Sequence, residues 1–75
     1  MGRLKPTSYR LVVRKLASAG FTQISQKGSH VKFVKVTVAG TRVAIVPRHS
    51  KDVPLGTLRS ILNQAGLTPD EFEAI

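Results

Sequence analysis

The clearest candidate for chemistry in this sequence is a short turn followed by a histidine. Gly28, Ser29 and His30 stand between two lysines, Lys27 and Lys32. A glycine turn lets the backbone approach a phosphate closely, and the amide groups of Gly28 and Ser29 can bind phosphate oxygens. Lysine neutralises phosphate charge, and histidine, with an ordinary pKa of about 6.5, suits proton transfer near neutral pH. The pattern therefore favours a site that handles a phosphodiester.

These groups are sufficient for one reaction that needs no cofactor. RNA carries its own nucleophile, the 2′-hydroxyl. A protein can therefore cleave RNA by removing that proton, neutralising the phosphate and assisting the leaving 5′-oxygen. Two interpretations of His30 stay open at this point. It is the acid–base group of such a site, or it is an ordinary surface residue at the start of a strand.

The second histidine lies in a polar segment, Pro47-Arg48-His49-Ser50. We interpret Arg48 as a phosphate ligand and His49 as a phosphate ligand or a loop residue rather than as a second acid–base group. A metal centre is poorly supported, because the histidines are far apart in the sequence and the chain has no cysteine. The glycines form neither a dinucleotide-binding pattern nor a P-loop. We therefore expect no metal and no cofactor.

The charge distribution indicates the kind of partner. Twelve Lys and Arg stand against four Asp and Glu, and three of the acids, Asp70, Glu71 and Glu73, lie in the last six residues. Residues 1–69 therefore hold twelve positive residues and one negative, Asp52, a local net charge of +11. Such a field concentrates polyanions, so nucleic acid is the favoured ligand. An acidic protein is the alternative, and a membrane surface is disfavoured because no helix has a Trp-rich or Phe-rich side.

Length and composition limit the architecture. The 75 residues fit a single domain. Without cysteine, its stability depends on packing alone. No apolar run approaches the roughly 20 residues that a membrane span needs. We expect a soluble cytoplasmic protein.

Periodicity and cap signals predict the elements that must position the turn. A first helix starts after Thr7 or Ser8, and Gly20 ends it. We interpret Tyr9 and Phe33 as core residues rather than as base-stacking platforms. The other predicted elements are strands over about 21–26, 30–38 and 42–46, a polar loop over 48–54, a helix over about 55–65, and a short last helix with a Thr68–Glu71 capping box.

The strand pattern predicts which side chains face the core. On the second strand, alternation places Val31 and Phe33 on one face and His30 on the other. On the third strand, we expect Val43 and Ile45 to point inward. The fold class is α+β in the order α-β-β-β-α, with a three-stranded antiparallel sheet, helices packed on one face and a short extra C-terminal helix.

Four segments of the chain together form a family pattern. They are Leu16-Ala17-Ser18-Ala19-Gly20-Phe21, Gln26-Lys27-Gly28-Ser29-His30, Val46-Pro47-Arg48-His49 and Gly56-Thr57-Leu58-Arg59-Ser60-Ile61-Leu62-Asn63-Gln64-Ala65-Gly66-Leu67. The pattern resembles that of HicA-type toxins, the ribonuclease halves of bacterial and archaeal toxin–antitoxin pairs. The resemblance runs over about residues 7–72. Its most specific part is the Gly-Ser-His turn followed, at this distance, by the Gly-Thr-Leu-Arg-Ser-Ile-Leu helix.

The resemblance implies a fold like that of a double-stranded-RNA-binding domain, cleavage of mRNA, and a HicB-type antitoxin partner that covers the active site. It also implies that His30 is the active-site residue, and it leaves the role of His49 open. Residues 35–42 vary within the family, so it implies no cleavage preference. Two other hypotheses stay open: the same fold binds RNA without chemistry, or its basic face serves mainly the antitoxin.

Overall fold

The chain folds as one helix, three strands and two further helices. The computed structural model describes residues 4–48 and 51–75. The elements are α1 (Tyr9–Ser18), β1 (Thr22–Lys27), β2 (His30–Thr37), β3 (Gly40–Pro47), α2 (Leu55–Ala65) and α3 (Pro69–Ala74). The α+β class and the α-β-β-β-α order with a short C-terminal helix are therefore confirmed. None of the helices in the described part of the chain is long and apolar enough to cross a membrane.

The sheet is antiparallel and has β2 at its centre, in the order β1-β2-β3. Two-residue turns join its strands, at Gly28-Ser29 and at residues 38–39. The second turn lies earlier than residues 39–41, the gap between the predicted strands, because Gly40 already pairs with Thr37 and begins β3. β1 contains a bulge between Gln23 and Ser25. β1 is therefore the irregular edge of the sheet, while β2 is held on both sides.

The helices bury one face of the sheet. Val31 and Phe33 of β2 are 0% and 2% exposed, as their alternation predicts. The remaining core residues are Val12, Leu16, Phe21, Ala44, Val46, Val53, Leu58, Ile61, Leu62, Ala65 and Phe72. Tyr9 packs against this core and is half-buried. The helix-free face of the sheet, which carries His30, is left open.

The predicted inward face of β3 is wrong. Val43 is exposed and Ile45 is half-buried, whereas Ala44 and Val46 are buried. The reason is register, because Val46 lies directly opposite the buried Val31, and paired residues of antiparallel strands share a face. The pairing with β2, and not the size of the side chains, therefore decides which residues of β3 face the core.

The two ends of the sheet are built differently. We call the end that carries the Gly28-Ser29 turn the turn end, and the opposite end the far end. The loop after β3 returns to the turn end, where Thr7 and Val53 exchange two backbone hydrogen bonds with N···O distances of 3.2 and 2.7 Å. Val53 is fully buried, although the sequence predicts only a polar loop there. This bridge attaches the loop to the start of α1.

The last helix packs toward the far end. Thr68 and Glu71 form the predicted capping box, with Thr68 Oγ1 accepting from Glu71 N at 3.1 Å and Glu71 Oε1 accepting from Thr68 N at 2.7 Å. These hydrogen bonds, aided by the charge of Lys35 near the end of β2, lower the pKa of Glu71 below its ordinary value. Lys15 donates from Nζ to the carbonyl oxygen of Phe72 at 2.9 Å. Together these contacts position α3.

The burial of Val53 in the bridge predicts that its side chain contributes to the stability of the fold. Val53→Ala removes two fully buried methyl groups and should lower the free energy of unfolding by about 2 kcal/mol, measured by urea denaturation. Val38→Ala is the matched control, because Val38 is fully exposed in the opposite turn and should change stability by less than about 0.5 kcal/mol. Equal effects of the two substitutions would contradict the assignment of Val53 to the core.

Candidate functional site

The turn between β1 and β2 presents hydrogen-bond donors. Gly28 has φ +59°, and Ser29 has a negative φ, the pattern of a type II′ hairpin turn. The Gly28 carbonyl oxygen accepts from Gln26 Nε2 at 3.1 Å, and the Ser29 carbonyl oxygen accepts from Arg48 N at 2.6 Å. Within the described residues, the two turn amides have no acceptor. With both carbonyls engaged, the turn offers N–H groups to a ligand.

His30 is held by the sheet and open to solvent. It is the first residue of β2, directly after the turn, and pairs with Lys27 on one side and Pro47 on the other. Its side chain is exposed, on the face opposite the buried Val31. Its imidazole makes no hydrogen bond within residues 4–48 and 51–75. A rigid backbone thus presents an imidazole that is available to a substrate.

Two lysines lie on the same face as His30, and an arginine lies at the same end of the sheet. Lys27 lies directly opposite it on β1, a position in which Cβ atoms are about 4.5–5.5 Å apart. Lys32 follows two residues later on the same face of β2, about 7 Å along the strand. Arg48 follows the end of β3, where its backbone is tied to Ser29. All three side chains are exposed, so the turn end is positively charged.

Three of the four acids lie elsewhere. Asp70, Glu71 and Glu73 are all in α3. Glu71 interacts with Lys35, which is five residues, or about 17 Å, along β2 from His30. In the described part of the chain, no three His, Asp or Glu side chains are arranged to hold a metal ion. The carboxylates of α3 therefore do not offset the positive charge around His30.

Most of the predicted site residues come together. The structure gathers Lys27, Gly28, Ser29, His30, Lys32 and Arg48 at the turn end. His49 lies outside the described residues. Two contributors were not predicted: Gln26, whose amide braces the turn, and Tyr9, whose ring lies 5.9 Å from the guanidinium carbon of Arg48. The Gln26 contact is local, but the Arg48–Tyr9 contact joins distant segments and has no signal in the sequence.

The conformation of Gly28 can be tested directly. Gly28→Ala places a side chain at positive φ and should cost about 1–2 kcal/mol of folding free energy, although a Cβ there meets nothing within 4 Å. Gly56→Ala is the control, because this exposed glycine lies in α2 without a positive φ and alanine there should stabilise by up to about 1 kcal/mol. Thermal unfolding of both variants gives opposite shifts if the turn is as described. A stabilising Gly28→Ala would contradict it.

Comparison with known families gives a match that runs from the start of α1 to just after the end of α2. The sequence model of a family described as "HicA toxin of bacterial toxin-antitoxin" matches residues 9–67. The match includes all three strands and the turn end. At the turn end, only the segment before α1 is outside it. Comparison with curated proteins gives no significant match.

Proposed function

Because the chain belongs to the HicA toxin family, the toxins of bacterial toxin–antitoxin systems, we propose that it is a metal-independent endoribonuclease that cleaves mRNA. In this proposal the chain is a single domain that acts in the cytoplasm, where mRNA is found. The observation that carries it is the position of His30. A solvent-accessible imidazole stands at the start of the central strand, beside a donor-rich turn and the exposed Lys27 and Lys32, with Arg48 at the same end of the sheet.

The proposed reaction uses the nucleophile of the RNA itself. His30 takes the proton of a 2′-hydroxyl, and the resulting oxygen attacks the adjacent phosphorus. The bond between phosphorus and the 5′-oxygen then breaks, and the leaving oxygen takes a proton from water or a second acid. The products are one fragment with a 2′,3′-cyclic phosphate and one with a 5′-hydroxyl. No cofactor is required for this step.

The surrounding groups would bind the phosphate on which negative charge accumulates. The amides of Gly28 and Ser29 and the ammonium group of Lys32 are proposed to bind its non-bridging oxygens. Lys27 and Arg48 are proposed to hold the phosphates on either side, and His49 is proposed as a further RNA ligand. Since the turn carbonyls are already engaged by protein donors, they do not repel an incoming phosphate as free acceptors would.

The family also implies a protein partner. A toxin of a toxin–antitoxin pair is inhibited by its antitoxin, and we propose a HicB-type antitoxin that covers His30. The open face of the sheet supports this proposal, because His30 and Lys32 lie on it together with the exposed Val43 and Val36. An antitoxin seated there would bury apolar surface and shield the imidazole from RNA at the same time.

The role of His30 is tested by cleavage in the presence of EDTA. His30→Ala should still bind RNA, because the cations remain, but should lose cleavage by a factor of at least about 100. The assay follows a labelled mRNA fragment by gel electrophoresis, and binding is measured by mobility shift. Thr41→Ala is the control, since Thr41 is exposed on β3 at the far end and should cut normally.

Two results would contradict the proposal. Cleavage by purified His30→Ala at the wild-type rate would exclude His30 as the acid–base group. Intact RNA with the wild-type protein, together with salt-sensitive binding, would instead identify a binding module without chemistry.

A further inference from the structure

A second basic feature lies on α1, outside the site around His30. The side chains of Ser8, Arg10, Leu11 and Arg14 line an open groove of about 390 Å³. Both arginines are exposed, on the face of α1 opposite the buried Val12 and Leu16. Ser8 caps the helix by accepting from Leu11 N at 3.2 Å, and the charged groups that line this groove are the two guanidinium groups.

The two arginines have no evident structural role. They are four residues apart on α1, so they are neighbours about 5–6 Å apart on its surface, and like charges at this spacing destabilise a helix. The sequence of α1 contains no acid to offset them. Lys15, the third base of this helix, differs because it is bound to the Phe72 carbonyl oxygen. Two exposed guanidinium groups that line one groove, with no acid on the same helix, form a place where an anion would relieve their repulsion.

The groove is joined to the turn end by direct contacts. Arg48 donates its backbone N–H to Ser29 of the turn, and its guanidinium carbon lies 5.9 Å from the ring centre of Tyr9. Tyr9 is the first residue of α1 and immediately precedes Arg10. From Arg10 to Arg14 the helix rises about 6 Å. Contacts therefore link the turn, through Arg48 and Tyr9, to the helix that carries the groove.

We infer that Arg10 and Arg14 form a second phosphate-binding site, which holds the RNA strand several nucleotides away from the bond that is cut. The inference rests on the proposed function, because its ligand is the same RNA. Arg48 contacts both the turn and the first residue of α1, and phosphates are spaced regularly along the strand. One strand can therefore engage both places, and binding energy gained on α1 would help to position the reacting phosphate.

The test compares two double variants in a His30→Ala background, so that the RNA stays intact. One carries Arg10→Gln and Arg14→Gln. The matched control carries Arg42→Gln and Arg59→Gln, which removes the same charge from an arginine beside Gly66 and an arginine of α2 outside the groove. Affinity for a labelled single-stranded RNA is titrated at several salt concentrations, and melting temperatures confirm that both variants fold.

The α1 variant should bind RNA roughly 10-fold more weakly at 0.15 M salt and lose about 1.4 from the slope of log affinity against log salt, the loss expected for two phosphate contacts. The control should change the slope by less than half as much. Arg10→Lys with Arg14→Lys should restore the slope, because it restores the charge.

Three results would overturn the inference. Equal losses in the two double variants would show that only net charge matters, and the proposed function would stand. Unchanged RNA binding by the α1 variant, with loss of binding to an acidic antitoxin, would assign the groove to the protein partner. Failure of both the wild-type protein and the His30→Ala parent to bind RNA at all would remove the proposed function together with the second site.

Discussion

The site depends on one constraint, the pairing of β2 with a strand on each side. His30 lies opposite Lys27 in one ladder and Pro47 in the other. A slip of one residue would exchange the two faces of β2 and expose Val31 and Phe33, which are almost completely buried. The free energy of core packing therefore also keeps His30 on the open face. The histidine is positioned by residues that never touch a substrate.

The separation of charge is the second consequence of the fold. α3 holds three of the four acids, and its contacts with Lys15 and Lys35 place it toward the far end. The turn end keeps Lys27, Lys32 and Arg48 exposed. A polyanion is therefore attracted to one end of the sheet, where the imidazole and the donor-rich turn are found. These three acids lower the net charge away from the proposed site.

Local patterns could be predicted from the sequence, and contacts between distant segments could not. The alternation of β2, the Ser8 and Thr68 caps and the glycine turn before His30 are decided by neighbouring residues, and the structure has them. The inward face of β3 depends on register with β2, so the bulky Val43 and Ile45 were misleading. The burial of Val53 depends on a bridge from a segment far away in the chain. The contact between Arg48 and Tyr9 of α1 also joins segments that are far apart in the chain, so the sequence does not predict it.

The central claim is that the protein cleaves RNA through the substrate's own 2′-hydroxyl, with a proton taken by His30. The most direct measurement compares an RNA with its 2′-O-methylated copy and identifies the ends of the fragments by mass spectrometry. The account predicts that the unmodified RNA yields 5′-hydroxyl and 2′,3′-cyclic phosphate ends, while the methylated RNA is bound but stays intact. Cleavage of the methylated RNA, or fragments with 5′-phosphate ends, would contradict it.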